Sequence, residues 1–177
     1  RFLAMPDLSR SPGNPLFELV RLTLQAKSLA NFDIIKIPEI VPAYVTFDLF
    51  NMPPSHPDRS RSATYYVNND YILRTHDTVM WYYYLNHPDI KERIKKAESL
   101  GVLCYGKVYR KDEIDRHHMN VFHQLGGVYL VPDNQKNIVL DDLKNVLKEI
   151  AENIFGAEVK VRFNEDVFPY TDPSLEM

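Results

Sequence analysis

The chemistry-bearing residues of this chain are concentrated in one run, GKVYRKDEIDRHHMNVFHQLGG, from Gly106 to Gly127. Seven of the ten residues from Lys111 to Asn120 are charged or histidine, so the segment between them reads as a loop held in water. Arg110 sits where the apolar run before the loop ends, and Phe122 sits where the apolar run after it begins. A guanidinium and an aromatic ring at the two feet of one hairpin suit a nucleotide. The planar fork of arginine matches phosphate oxygens in two directions, and a ring face stacks on a purine. Asp112, Glu113 and Asp115 could hold magnesium or the amino group of an adenine, given a cation or donor that tolerates acids beside phosphate. By spacing alone a solvated hairpin tip is the plainer explanation of the loop. A metal-dependent hydrolase built on Asp112, Asp115, His118 and His123 is a further reading, without a recognised ligand spacing to support it.

The elements that must position these residues follow from pattern. Residues 102–110 and 121–131 read as an antiparallel pair across the charged loop. Asn14 and Pro15 look like an N-cap and a first-turn proline, opening a helix through about Ala30 with Leu16, Leu19, Val20 and Leu24 near one face. Residues 33–50 are β-branched and aromatic but broken by Pro38 and Pro42, which fits an edge or interface strand. After a proline-punctuated loop, 51–63, the runs TYYV and YILRT read as short strands around a turn at Asn68 to Asp70. Residues 78–85 and 88–100 read as helices, the second opened by Pro88 and stopped by Gly101. The ring cluster Trp81, Tyr82, Tyr83 and Tyr84 points around the whole first helix, which fits packing or an interface better than a ligand cage. A turn at Pro132 to Asn137 precedes an amphipathic helix carrying Leu140, Leu143, Leu147, Ile150 and Ile154 on one face and ending at Gly156. Residues 157–163, AEVKVRF, alternate like a strand. Hairpins without regular βαβ alternation favour an α+β fold, an antiparallel β-sheet flanked by helices.

Composition bounds the whole. With 177 residues, 45% hydrophobic and 25% charged, the chain fits one globular domain over residues 1–177. A net charge of -3 gives no global drive toward nucleic acid. The lone Cys104, inside an apolar run, suits a reducing compartment, and we expect a cytoplasmic protein, with an organellar matrix as the alternative. No apolar run approaches the ~20 residues of a membrane span. The chain starts at Arg1 and stops at Met177 without a polar tail, which reads as a fragment.

Four blocks of the sequence carry a resemblance that spacing does not supply. IPEI with FDLFNMPPSHPDRS, then YILRTHDT, then GKVYRKDEIDRHHMNVFHQLGG, then FGAEVKVRFNEDVFPYTDPSLEM occur in the order of the class II phenylalanine-tRNA ligases. The chain resembles the catalytic domain of their α-subunit or single-chain form over nearly its whole length. The resemblance implies a class II synthetase catalytic fold, with ATP and Mg2+ as cofactors and phenylalanine and tRNA(Phe) as substrates. It also implies a β-subunit or a second copy as partner, and no membrane.

Residue by residue, the resemblance puts Arg110 on the α-phosphate of ATP as the catalytic group, Phe122 on adenine, Asp112 near adenine and His118 near the outer phosphates. It lines the amino-acid site with His76, Thr78 and Gln124 and places Phe168 and Tyr170 against the substrate ring. No metal-ligating residue is implied. The chain departs from the family pattern at Gly126, where a glutamate facing the substrate ammonium is usual, and at Asp77, usually threonine. It departs too at Thr78, usually serine, at Ser62, tryptophan in some members, and at Tyr170, usually phenylalanine. It also ends before the glycine-rich third motif, whose arginine in the family binds the terminal phosphate. A non-catalytic paralogue acting as a binding module is the alternative those departures leave open.

Overall fold

The computed structural model describes residues 1–168 and 171–177. In chain order it contains helix α1 (Pro15–Thr23), strands β1 (Asp33–Ile35) and β2 (Ile40–Pro42), helix α2 (Ala43–Thr46), strand β3 (Tyr71–Leu73), and helices α3 (Met80–Leu85) and α4 (Pro88–Lys95). Strands β4 (Leu100–Tyr109) and β5 (Val121–Leu130), helix α5 (Leu140–Phe155), and strands β6 (Asn164–Phe168) and β7 (Thr171–Glu176) follow. Among the described residues no helix is long and apolar enough to cross a membrane.

Strand β4 is the spine. Nine of its ten residues are buried, Tyr105 being the half-exposed one, so it takes the central place in the sheet order β1-β4-β5. Its pairing with β5 is antiparallel and unbroken from Leu100 opposite Leu130 to Tyr109 opposite Val121. The expectation of an antiparallel sheet needs one amendment: β1 runs parallel to β4, with Asp33 opposite Val102 and Ile35 opposite Cys104. Parallel neighbours need a long crossover, and residues 36–99 supply it with α2, β3, α3 and α4.

Residues opposite each other in β4 and β5 share a face. On one face Leu100, Val102 and Cys104 join Val41, Val45, Phe47, Ile72, Val79 and Met80 in the larger core cluster. On the other face Leu103 and Leu125 pack with Ala26, Leu29, Val146 and Ile150. The sheet is thus covered on one side by the crossover and on the other by α5 and the segment after α1.

Several elements depart from pattern for local reasons. Helix α1 begins as expected, with the Asn14 side chain accepting from Leu16 N at 3.0 Å, but stops at Thr23 rather than near Ala30. Beyond it the Glu149 carboxylate of α5 accepts from the backbone N–H groups of Lys27 and Ser28 at 2.7 and 3.2 Å. That cap starts a new single turn, so a tertiary contact overrides helical continuity. Helix α4 ends at Lys95, with Ala97 in the left-handed region at φ 54°, not at Gly101. Gly101 lies inside β4, where an added Cβ would sit 2.4 Å from the Phe32 ring; close approach, not helix termination, is its reason.

The interrupted segment 33–50 is β1 on the sheet edge, then β2 paired with β3, then α2, with Val41, Val45 and Phe47 fully in the core. The expected TYYV strand is reduced to a bridge between Tyr66 and Ile72. Residues 157–163 form no strand; the ladder begins at Asn164, because its partner is β7. Alternation creates a face but does not supply a neighbour.

Candidate active site

The β4–β5 register puts Val108 opposite Phe122, Gly106 opposite Gln124 and Cys104 opposite Gly126, so Phe122, Gln124 and Gly126 line one face of the sheet. The turn that follows β3, residues 74–79, lies over that face. It is fixed there by Arg74, a buried arginine whose Nε donates to the Lys107 carbonyl at 2.7 Å and whose Nη1 donates to the Ile37 carbonyl at 3.3 Å. The backbone completes the seam, with Tyr109 N donating to the Arg74 carbonyl at 2.9 Å. Gly106 opposite this contact has φ +146°, and an added Cβ would come within 2.6 Å of Arg74 Nη2. Arg74 is absent from the site that the sequence predicts. A cation inside the apolar run YILRT was the available signal, since a buried charge needs a set of acceptors waiting for it.

Arg110 and Phe122 meet as their positions at the hairpin feet imply. The Arg110 guanidinium carbon lies 5.2 Å from the centre of the Phe122 ring, and Arg110 Nε donates to the Thr75 carbonyl at 3.0 Å. One edge of the fork is therefore tied to the turn, while the ring presents a flat surface beside it. The loop base is latched by Asn120, whose Nδ2 donates to the carbonyls of Arg110 and Asp112 at 3.1 and 2.9 Å. Lys111 ties the same base to the proline-rich loop, donating from its Nζ to the Arg61 carbonyl at 2.6 Å.

Within the loop, Asp115 accepts from the backbone N–H groups of His117 and His118 and from the His118 ring at 2.6, 2.7 and 2.9 Å. The His118 ring and those amides hold the Asp115 carboxyl below its usual range, and Asp115 in turn raises His118. Asp112 and His118 are exposed at this end of the site. His123 is not with them. It lies on the opposite face of β5, where Nε2 accepts from Leu8 N at 3.0 Å and the Asp7 carboxylate is 3.4 Å away. The metal set Asp112, Asp115, His118 and His123 is therefore not assembled, because adjacent strand positions point to opposite sides. Among the described residues no group of three or more His, Cys, Asp or Glu side chains is placed to hold a metal.

The other half of the site is enclosed. His76 is 8% exposed and meets Phe50 edge to face at 5.0 Å. Burial lowers its pKa to about 4, with Arg110 pushing in the same direction, so the imidazole is neutral at pH 7. Neither ring nitrogen closes a hydrogen bond of normal geometry, although the Thr46 carbonyl lies near enough to oppose the shift. Gln124 Oε1 accepts from Asp77 N at 3.1 Å, joining the turn to β5. Thr78 is half-buried in the same turn. Asp77 and Gly126, two of the departures from the family pattern, prove to be neighbours in space, and Asp77 was not among the expected site residues.

His76, Asp77, Thr78, Arg110, Phe122 and Gln124 thus belong to one neighbourhood. Phe168 stands 39% exposed on the β6–β7 hairpin, and Tyr170 lies outside the described residues. The ring cluster of α3 packs as anticipated: Trp81 lies against Phe50, the Tyr82 hydroxyl meets that of Tyr44, and the buried Tyr84 donates to the Asp33 carboxylate.

Comparison with known proteins places this geometry in a family. The family model for the tRNA synthetases class II core domain (F) matches residues 14–177. The phenylalanine–tRNA ligase alpha subunit of Caldicellulosiruptor saccharolyticus is 34% identical over 146 residues, covering 82% of this chain and 39% of that protein. The alpha subunit from Sulfurihydrogenibium sp. is 32% identical over 167 residues, covering 94% of this chain and 45% of that protein. The chain therefore spans less than half the length of these curated relatives. Among solved structures, the pyrrolysyl-tRNA synthetase of Desulfitobacterium hafniense superposes with a TM-score of 0.64 at 18% identity, covering 85% of this chain and 50% of that one. That likeness speaks to the fold.

Proposed function

We propose, from the premise that this chain belongs to the family of class II tRNA synthetase core domains of the phenylalanine type, that it is the catalytic core of a phenylalanine-tRNA ligase. The observation that carries the reading is the juxtaposition of Arg110 and Phe122 at the open end of a sheet face whose other end is the enclosed polar group His76, Asp77 and Gln124. A nucleotide needs a cation and a stacking surface in water; a small amino acid needs hydrogen-bonding groups in an enclosed volume.

In this reading ATP stacks its adenine on Phe122 and places its α-phosphate at Arg110. Phenylalanine lies toward Gln124, His76 and Thr78. Its carboxylate oxygen attacks the α-phosphorus, the bond to the bridging oxygen breaks, and pyrophosphate leaves with that electron pair. Arg110, positioned before the reaction begins, stabilises the charge gathering on the phosphoryl oxygens. A hydroxyl at the tRNA 3′ end then attacks the carbonyl of the mixed anhydride and AMP leaves. The same reading assigns the exposed His118 to the outer phosphates and the exposed Asp112 to the adenine edge. Asp112 and Glu113 are the exposed loop acids that would help hold Mg2+ brought with ATP, which would neutralise charge on the phosphates, since Asp115 is engaged by its own loop. Phe168 and Tyr170 are assigned to the substrate ring by the same reading.

The relatives are named alpha subunits, so we infer assembly with a second kind of subunit and tRNA(Phe) as acceptor, in the cytoplasm where translation takes place. The test is phenylalanine-dependent exchange of pyrophosphate into ATP by the natural full-length enzyme. Exchange with phenylalanine and not with tyrosine or leucine is expected; exchange with neither phenylalanine nor another amino acid would overturn the reading.

A further inference from the structure

We propose that Asp77 is the carboxylate that receives the ammonium group of the amino acid substrate, and that position 126 is glycine to leave that carboxylate its place; the proposal rests on the reading of the site as one that activates an amino acid.

Asp77 brings a carboxylate into the interior. Asp77 is 6% exposed, and its Oδ2 has no hydrogen-bond partner. Among the described residues no ion pair includes it. Arg74 and Arg110 favour its charged form through space, neither in an ion pair with it. Arg74 donates from Nε and Nη1 to the Lys107 and Ile37 carbonyls, and Arg110 donates from Nε to Thr75. Burial is the main influence on the group and pushes its pKa up to about 6, so at pH 7 it is still ionised. A buried carboxylate with an unmet oxygen is costly, and a cation delivered by a ligand removes that cost.

Position 126 gives the second, independent observation. A Cβ there would lie 2.6 Å from Asp77 Oδ2 and 2.9 Å from both Cγ and Oδ1. These distances exclude any side chain at 126 while Asp77 stays where it is. The carboxylate occupies the volume a β5 side chain would otherwise fill, so it stands over the same sheet face as Gln124 and Phe122. The Gln124 side chain fixes it there by accepting from its backbone N–H. Along β5, Gly126 lies four residues from Phe122, about 13 Å at the usual rise, a length that ribose and phosphate can bridge. A zwitterion laid between them has its ammonium at Asp77 and its carboxylate toward Arg110, the polarity that attack on an α-phosphate at Arg110 requires. The ligand class is a free α-amino acid with a primary ammonium.

The test compares two ligands on the natural full-length enzyme by calorimetry: phenylalanine, and 3-phenylpropanoate, which keeps the ring and carboxylate but lacks the ammonium. The wild type is expected to favour phenylalanine. Asp77→Asn should weaken phenylalanine by about tenfold to a hundredfold, the range for one lost hydrogen bond to a charged group, and leave 3-phenylpropanoate unchanged or tighter. Gly126→Ala, which drives a methyl group into the carboxylate, should lower the same ratio and carries the test should Asp77→Asn not fold. The double variant Asp77→Thr with Gly126→Glu returns a carboxylate to that volume from the neighbouring strand and should recover part of the preference. An unchanged ratio in both Asp77→Asn and Gly126→Ala would overturn the proposal. A wild type that binds ATP but neither ligand would overturn the reading of the site itself, and the proposal with it.

Discussion

The two ends of the site each hold a histidine and an aspartate, and the structure moves the two pairs in opposite directions. In the enclosed turn, burial lowers His76 to about 4 and raises Asp77 to about 6. In the exposed loop, mutual pairing raises His118 and lowers Asp115. The same residue types therefore become a neutral imidazole beside a buried carboxylate at one end, and a hydrogen-bonded pair at the other. The enclosed end is shaped by packing and held by Arg74 before any ligand arrives. The loop is shaped by its own charges, which salt and ligand phosphates can compete for. On the proposed reading, the amino acid goes to the fixed end and the polyphosphate to the adaptable loop.

The sharpest test lies where the two ends meet. Arg110→Ala should reduce phenylalanine-dependent pyrophosphate exchange by about 10²- to 10³-fold, the usual cost of losing one preorganised group that stabilises transition-state charge. Arg110→Lys should recover little, because a point charge cannot hold Thr75 with one edge and phosphate with the other.

Arg74→Met addresses the rigidity of the enclosed end. It strands the Lys107 and Ile37 carbonyls and should lower unfolding stability by roughly 3 kcal/mol in urea titration, with exchange activity falling as the turn loses its anchor.

The acid limb of stability separates the two ends further. His76, lowered from 6.5 to about 4, is neutral when folded and protonated when unfolded in that interval, so its contribution is lost as pH falls from about 6.5 to 4. Asp77, raised from 3.8 to about 6, binds a proton more readily when folded, so its penalty is relieved as pH falls from about 6 to 4. Each amounts to about 3 kcal/mol at full extent by the shift-to-energy conversion, so in the wild type they nearly cancel between pH 6 and 4. Asp77→Asn removes the relief alone. Urea midpoints of that variant should fall more steeply than wild type over this window; parallel slopes would show that Asp77 is not buried as an acid.

The smallest effect is expected in the loop. Asp115→Asn should leave the thermal midpoint near wild type, because the pair is fully solvated, but raise the KM for ATP several-fold, with the difference shrinking in high salt.

How much of this was legible beforehand varies by element. The β4–β5 hairpin, with Arg110 and Phe122 at its feet, followed from two apolar runs around a polar loop. Helix α5 followed from its periodicity and Gly156. The ends of α1 and α4 were misplaced, because Glu149 caps a turn from far along the chain and because Ala97, not a glycine, took the left-handed position. At Gly126 the resemblance points only to a missing glutamate; the structure adds that a Cβ there would meet the Asp77 carboxylate.

The sequence by itself determined which residues share a strand face, where most helices start, and which family the ordered motifs resemble. Each of these is set by neighbours one to four positions apart, through pleat, helical turn or cap. The tertiary structure alone decided that β1 runs parallel to β4, that Gly101 answers to Phe32, that Arg74 pins the turn, and that Asp77 rests against Gly126. Those are contacts across the chain, such as the one from Asp77 to Gln124 spanning 47 positions. No local period encodes them, because they arise only when burial brings two surfaces to one distance and one residue yields its side chain to the other.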